Sequence, residues 1–205
     1  MVVMDLTQEQ IEGLGIALNE ATVLEVLVNT EDLVSVVRLS VLTLPEGHDA
    51  SEPDPGVQLA LRPTGRIAAS LRHGAWDDPS APVEHFGIDQ LSEVVARGGG
   101  EHIYGWEFVD VPDEKGFQQW SDRLSLDWRS GAEGGLSRTL TLFQERKDEI
   151  LDLRMWFDEL GVFDSTGEQV RLEEFIAGGK RWWDAFYADD PRTHGSGLVP
   201  LRDDP

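Results

Sequence analysis

An aromatic row in residues 101–111 is the first pattern that could support chemistry. His102 and Trp106 share one face of a predicted strand, and Glu107 lies on the opposite face. The rings could stack on a sugar or another planar ligand, with His102 and either Glu101 or Glu107 near its edge. Aromatic residues at this period also fill the cores of sheets, and core packing is the interpretation that we favour.

A second candidate is the polar side of three segments with alternating apolar residues, 124–129, 139–142 and 151–157, which predict an antiparallel meander. Its polar face carries Asp127, Arg129, Thr139, Thr141, Asp152, Arg154 and Trp156. Solvent exposure explains most of these residues, because acids, arginine and threonine are ordinary on the wet side of a sheet. Trp156 is the exception. We expect it either to lie beneath another element, such as the C-terminal helix, or to contact a partner or ligand beside Asp152 and Arg154.

The third candidate lies on a predicted C-terminal helix. Trp182 and Trp183 are adjacent, so their side chains point about 100° apart around the helix axis. We expect one of them to be core. The other, near Tyr187, forms either a contact site for a partner or a partly exposed surface aromatic.

No cofactor and no metal site is predicted. The chain has no cysteine, and no pair among its five histidines has a spacing that preorganises a metal site. It also lacks a Gly-x-Ser-x-Gly elbow, a phosphate-binding loop and a dinucleotide fingerprint. Glycines 98–100 follow a predicted helix instead of preceding one, which indicates a helix stop. These absences remove the reason to propose catalysis, but they do not exclude an enzyme.

Local patterns predict the elements that must position these residues. A capping box at Thr7 and Gln10 begins a short helix, residues 88–97 form a middle helix, and an apolar stripe marks the C-terminal one. Strands are predicted at 22–28, 33–44, 57–61, 67–72, 101–111, 124–129, 139–142, 151–157 and 168–172, with a hairpin turn at 63–65. About nine strands without regular strand-helix-strand units predict a mainly antiparallel α+β fold, as a sandwich or curved sheet. One domain (1–188) and a loose C-terminal tail (189–205) are expected.

The 39 acidic and 17 basic residues give a formal net charge of -22. This charge repels phosphate backbones and anionic lipid, so neither nucleic acid nor membrane is an expected partner. Eleven acids against Arg38 alone place -10 of the charge in residues 1–60. The start of the chain lacks signal-peptide features and no apolar stretch is long enough for a bilayer, so the expected localisation is cytoplasmic.

The distribution of acids favours a non-catalytic binding or inhibitor-type protein that engages a basic protein partner, because acidic surfaces steer basic partners. The alternative is a carbohydrate- or small-molecule-acting protein, such as a hydrolase, with a cleft of His102, Trp106, Glu107 and Trp156. A third hypothesis is that the charge serves only solubility in a salty cytoplasm.

Overall fold

Two long antiparallel strands, β3 (Val57–His73) and β7 (Glu149–Phe163), form the centre of the sheet in the computed structural model of this chain. The structure describes residues 6–44, 46–47, 56–75, 78–97, 106–110, 117–146 and 148–196, with the backbone alone at 106–108. The other strands are β1 (Thr22–Asn29), β2 (Val34–Ser40), β4 (Trp106–Val109), β5 (Leu126–Arg129), β6 (Arg138–Glu145) and β8 (Gln169–Val170). The helices are α1 (Gln8–Ala17), α2 (Leu91–Ala96) and α3 (Leu172–Tyr187), and 3₁₀ helices span Ile88–Gln90, Phe117–Trp120 and Pro191–Thr193.

The eight strands of the described residues belong to one sheet. Its order is β1-β2-β3-β7-β6-β4, while β5 pairs with β3 and β8 pairs with β7. All of these pairings are antiparallel. The predicted α+β class with a mainly antiparallel sheet is therefore confirmed, whereas the strand count differs from the predicted nine.

The hairpin turn predicted at residues 63–65 is wrong, because β3 runs through these residues as one strand. A bulge between Thr64 and Arg66 absorbs them. The Thr64 amide donates to Leu33 O at 2.7 Å, and its hydroxyl donates to Leu61 O. Turn-forming residues can lie within a strand when a bulge and a neighbouring loop satisfy the backbone groups.

The predicted meander is wrong at its first strand, because β5 pairs with β3 instead of β6. The connection from β5 to β6 contacts both central strands. On β3, Gly65 N donates to Gly135 O at 3.1 Å, and a Cβ atom on Gly65 would lie 2.5 Å from that oxygen. On β7, the Asp158 carboxylate accepts hydrogen bonds from the amides of residues 135, 136 and 137. Glycine at position 65 thus permits the close approach, and Asp158 holds the connection in place.

Asp158 makes a pH-dependent contribution to stability. Partial burial raises the pKa of its carboxyl, but hydrogen bonds from the Ser137 hydroxyl and the three amides outweigh burial and hold the pKa below its usual value. A lowered folded-state pKa stabilises the fold above the unfolded-state value of about 4, and this stabilisation is lost as the pH falls through the folded-state value. We expect Asp158→Asn to lower the urea midpoint at pH 7 and to flatten the decline of the midpoint as the pH falls below about 4.

The control for this measurement is Glu133→Gln, at an exposed position of the same connection. It removes the same charge and should leave both the midpoint and its pH dependence close to those of the original protein. A decline of equal steepness in the Asp158→Asn variant would contradict the assignment.

The main core lies between one face of the sheet and the helices. Its buried members include Leu59, Leu61, Ile67, Leu71, Leu153, Met155 and Phe157 from the strands, and Leu14, Leu18, Leu91, Val94, Phe175 and Ile176 from the helices. The opposite face of the two central strands is here called the outer face. It carries Arg66, Ala68, Ser70, Arg72, Asp152, Arg154 and Trp156.

The chain ends add two observations. Residues 189–196 of the predicted tail are described, and they include the 3₁₀ helix Pro191–Thr193 with Thr193 buried. Residues 197–205 and glycines 98–100 lie outside the described residues. Within the described part, no helix has the length and apolar character needed to cross a bilayer.

Candidate functional site

Helices α1 and α3 pack side by side in the same direction and form a surface that we call the helix-pair surface. Gln10 Nε2 donates to Glu173 Oε1 at 3.0 Å near the N-terminal ends, and Gly179 meets Ala17 near the end of α1. Four exposed carboxylates cluster at the N-terminal ends: Glu9, Glu12, Glu173 and Glu174. Glu9 lies in the first turn of α1, and Glu173 and Glu174 lie in the first turn of α3, at the positive ends of the helix dipoles.

The C-terminal ends of the same helices leave a groove of about 410 Å³ between them. It is lined by Gly15, Ile16, Asn19, Lys180, Trp183, Asp184 and Tyr187. Tyr187 is 72% exposed and Ile16 is 39% exposed, although both are large and apolar. Lys180 and Asp184 are one helical turn apart, so their opposite charges lie side by side. The helix-pair surface is therefore acidic at the N-terminal ends of the two helices and has an apolar groove at their C-terminal ends.

Both tryptophans of α3 are buried, although only one was expected in the core. Both can be buried because residues 42–44 cover α3 in addition to the main core. Leu44 N donates to Gly178 O at 3.1 Å, and Arg181 Nε donates to Leu44 O at 2.9 Å. The indole N–H of Trp183 has no hydrogen-bond acceptor among the described residues. A buried donor without a hydrogen-bond partner costs about 1–3 kcal/mol.

Asp152 is buried, so the expectation that the polar face of the predicted meander is exposed to solvent is wrong at this residue. Residues 117–125 cover this part of the outer face, and they leave Arg72 1% and Asp152 8% exposed. Arg72 Nη2 lies 2.7 Å from Asp152 Oδ2, and the Trp120 ring lies 3.3 Å from the guanidinium carbon. Desolvation lowers the pKa of Arg72 against the opposing effect of Asp152. Asp152 is therefore the counter-ion of a buried arginine.

Trp156 is half-buried and has arginines as its charged neighbours. Arg66 Cζ lies 4.6 Å from the centroid of the indole ring, and Arg154 Cζ lies 5.9 Å from it. Phe117 meets the ring edge-on with centroids 6.2 Å apart. The element that packs against Trp156 is the 3₁₀ helix Phe117–Trp120, whereas the sequence suggested the C-terminal helix. These side chains line a pocket of about 340 Å³.

The predicted cleft of His102, Trp106, Glu107 and Trp156 is described only in part. His102 lies outside the described residues. Strand β4 places Trp106 opposite Phe143 of β6 and Glu107 opposite Leu142. Phe143 in turn pairs with Asp152 of β7, so one row across three strands joins Trp106 to Asp152.

Residues that the sequence did not connect meet where β3 ends and β7 begins. His73 Nε2 lies 2.8 Å from Glu84 Oε2, and His73 Nδ1 lies 3.7 Å from Glu149 Oε1. Arg97 bonds to Glu84 and Arg146 bonds to Glu149. The bonds from Arg97 and His73 hold the pKa of Glu84 below its usual value.

The same three groups, His73, Glu84 and Glu149, lie within 4.8 Å of one another and have the ligand types that divalent cations use. Each carboxylate is already paired with a guanidinium, which raises the electrostatic cost of a cation. The arrangement is best described as a five-residue ion-pair network. Only the register of β3 and β7 could have revealed it, because His73 pairs with Glu149, which lies 76 positions further along the chain.

No protein-family model, curated protein or solved structure matches this chain.

Proposed function

We propose that this chain is a non-catalytic binding protein that engages a basic protein partner through the helix-pair surface. The observation that carries the proposal is the groove between α1 and α3, where the exposed side chains of Ile16 and Tyr187 lie beside Trp183. Aromatic residues beside a groove are typical of the contacts that contribute most to binding energy.

The charge of residues 6–44, which include α1, supports a basic partner. Residues 6–44 hold six carboxylates against Arg38 alone, which leaves -5. Arg38 is itself paired with Glu25 across β1 and β2. The carboxylates of α1 stay exposed, as do Glu173 and Glu174 at the start of α3. A negative surface of this kind accelerates association with a positive one and repels acidic proteins, including a second copy of this chain.

The geometry also specifies how the partner should be built. Glu12 and Ile16 are one turn apart on α1, about 6 Å along the axis, and Glu173 and Trp183 are about 15 Å apart along α3. A matching segment carries one apolar side chain for the groove and lysine or arginine side chains about 6–15 Å from it.

Selection of peptides from a random displayed library on the purified protein tests this proposal. We expect the selected peptides to combine an apolar anchor with several lysines or arginines. Tyr187→Ala should weaken their binding at least tenfold, because an exposed aromatic at the groove is a candidate for the dominant contact. The matched control is Leu136→Ala, which removes another exposed apolar side chain, 59% exposed, from a loop remote in sequence from both helices.

A charge comparison separates the partner hypothesis from simple solubility. The double variant Glu9→Gln/Glu12→Gln should slow association and reduce its dependence on salt. The double variant Glu133→Gln/Glu168→Gln removes the same charge from exposed loop positions and should change neither. Selection that yields no saturable binder, or peptides that bind all four variants alike, would show that the surface serves solubility only.

A further inference from the structure

Exposed side chains of α1 and α3 form two rows along the helix-pair surface. On α1, Glu9, Glu12 and Ile16 follow one another at intervals of three and four residues, so they share one side of the helix. On α3, Glu173 and Tyr187 are both exposed and stand about four turns apart on nearly the same side. Each row therefore begins with a carboxylate at the N-terminal end of its helix and reaches a large apolar side chain at the C-terminal end.

The two rows lie side by side because the helices are in close contact along α1. A Cβ atom on Gly13 would lie 2.6 Å from Ile176 Cγ2, and a Cβ atom on Gly179 would lie 2.5 Å from Ala17 Cα. Two helices that pack this closely in the same direction leave a shallow trough between them, into which the side chains of a third helix can pack as ridges. The trough follows the axes of both helices.

The groove continues this trough for about two turns of α3. Its wall from Lys180 to Tyr187 measures about 10 Å along the axis, and Ile16 lies on the other side. A Cβ atom on Gly15 would meet nothing within 4 Å, so this position leaves room for a side chain from a partner. Lys180 and Asp184 offset each other's charge, which leaves apolar contacts as the main interaction that the groove offers.

We propose that the partner segment is an amphipathic helix that lies along α1 and α3, with apolar and basic residues on the same side. This inference rests on the proposed function and specifies the secondary structure of the partner. A helix satisfies its own backbone hydrogen bonds, whereas an extended segment needs a strand edge, which two helices do not offer.

The spacing along the partner helix follows from that of the helix-pair surface. Two apolar side chains one turn apart, about 6 Å, fit within the length of the groove. Basic side chains one and two turns further along then face Glu12 and Glu9, which have the same spacing from Ile16. An extended segment would instead need its apolar and basic residues at alternate positions, so the sequence spacing of the partner distinguishes the two.

Three synthetic peptides of eighteen residues, built on alanine and glutamine with blocked ends, test the proposal. The first has leucine at its third and seventh positions and lysine at its eleventh and fourteenth. The second moves each lysine by two positions, which turns it about 200° around the helix axis. The third has proline at its ninth position, which interrupts the helix. In calorimetry, the first peptide should bind saturably and at least tenfold more tightly than either of the others, and circular dichroism should show that it is helical when bound.

The variant Gly15→Leu fills the groove and should weaken the binding of the first peptide at least tenfold. Ala132→Leu is the matched control, because it introduces a leucine at an exposed loop position and should leave binding unchanged. Thermal melting checks that both variants fold, and Ile16→Ala replaces Gly15→Leu if the latter does not.

Two kinds of result would overturn the helical partner. One is equal binding of the second or third peptide, or unchanged binding of the first peptide to Gly15→Leu. The other is that the first peptide does not bind while peptides from the displayed library do, in which case the proposed function still stands. If neither the first peptide nor any library peptide binds, the proposed function fails as well.

Discussion

Replacement of Asp152 by alanine is expected to lower the free energy of unfolding by about 3–5 kcal/mol, as removal of one partner from a buried ion pair does. The variant leaves the Arg72 guanidinium charged and enclosed, with Trp120 stacked on it and no counter-ion at 2.7 Å. Two of its nitrogens, Nε and Nη1, already have no hydrogen-bond partner among the described residues. Arg72 therefore depends strongly on Asp152, and urea unfolding measures the loss.

The double variant Arg72→Met/Asp152→Leu is the control for this prediction. It fills a similar volume with apolar atoms and removes both desolvated charges, so its stability should match or exceed that of the original protein. The comparison of the single and double variants isolates the electrostatic part of the effect. A loss of less than about 1 kcal/mol in Asp152→Ala would mean that the Arg72 charge has another route to stabilisation.

Short-range patterns were sufficient for the helices and for most strands. The capping box at Thr7 and Gln10 is present as predicted, with Gln10 N donating to Thr7 Oγ1 and Thr7 N to Gln10 Oε1. The apolar stripe of α3 and the alternation in β6 and β7 also correspond to the observed burial. These features depend on residues within one or two turns or on the next residues of a strand, which is the range of the sequence signals used.

The errors come from partners that are distant in sequence. The residues at 63–65 have the composition of a turn, but Leu33 and Gly135 supply acceptors that let the strand continue. The pairing of β5 with β3 instead of β6 depends on the two glycines at 65 and 135, which no local pattern relates to one another. Strand pairing is decided by such long-range contacts, so alternation alone does not determine it.

The candidate sites show the same limit. Asp152 and Trp156 occur in an alternating pattern that is typical of a wet face, yet the first is buried under residues 117–125 and the second packs against Phe117. The covering segment begins more than thirty positions earlier in the sequence than either residue. Tyr187 is exposed at the end of α3, whereas Trp183 is buried together with Trp182, although the helical period suggested that only one of the two would be in the core. The groove beside these residues could not be predicted from α3 alone, because residues of α1 form its other side.

Two glycine-to-alanine substitutions at the helix-pair surface should have opposite effects on stability. A Cβ atom on Gly179 would lie 2.5 Å from Ala17 Cα, a backbone atom that no rotamer change can move, whereas a Cβ atom on Gly15 would meet nothing within 4 Å. Overpacking typically costs about 1–3 kcal/mol, and the steric conflict with backbone places Gly179→Ala near the upper end. Alanine returns about 1 kcal/mol of helix propensity, which leaves a net loss of about 2 kcal/mol.

Gly15→Ala gains the propensity without the clash, so it should raise stability by up to about 1 kcal/mol. The same chemical change at two positions of one helix pair thus separates close packing from helix propensity. Because Gly179→Ala must also push α1 away from α3, it should alter the groove that Ile16 and Trp183 line and weaken the binding of the selected peptides. If Gly179→Ala raises stability instead, the backbones of α1 and α3 are further apart than the 2.5 Å between the added Cβ atom and Ala17 Cα implies. The groove between the two helices would then lose its structural basis.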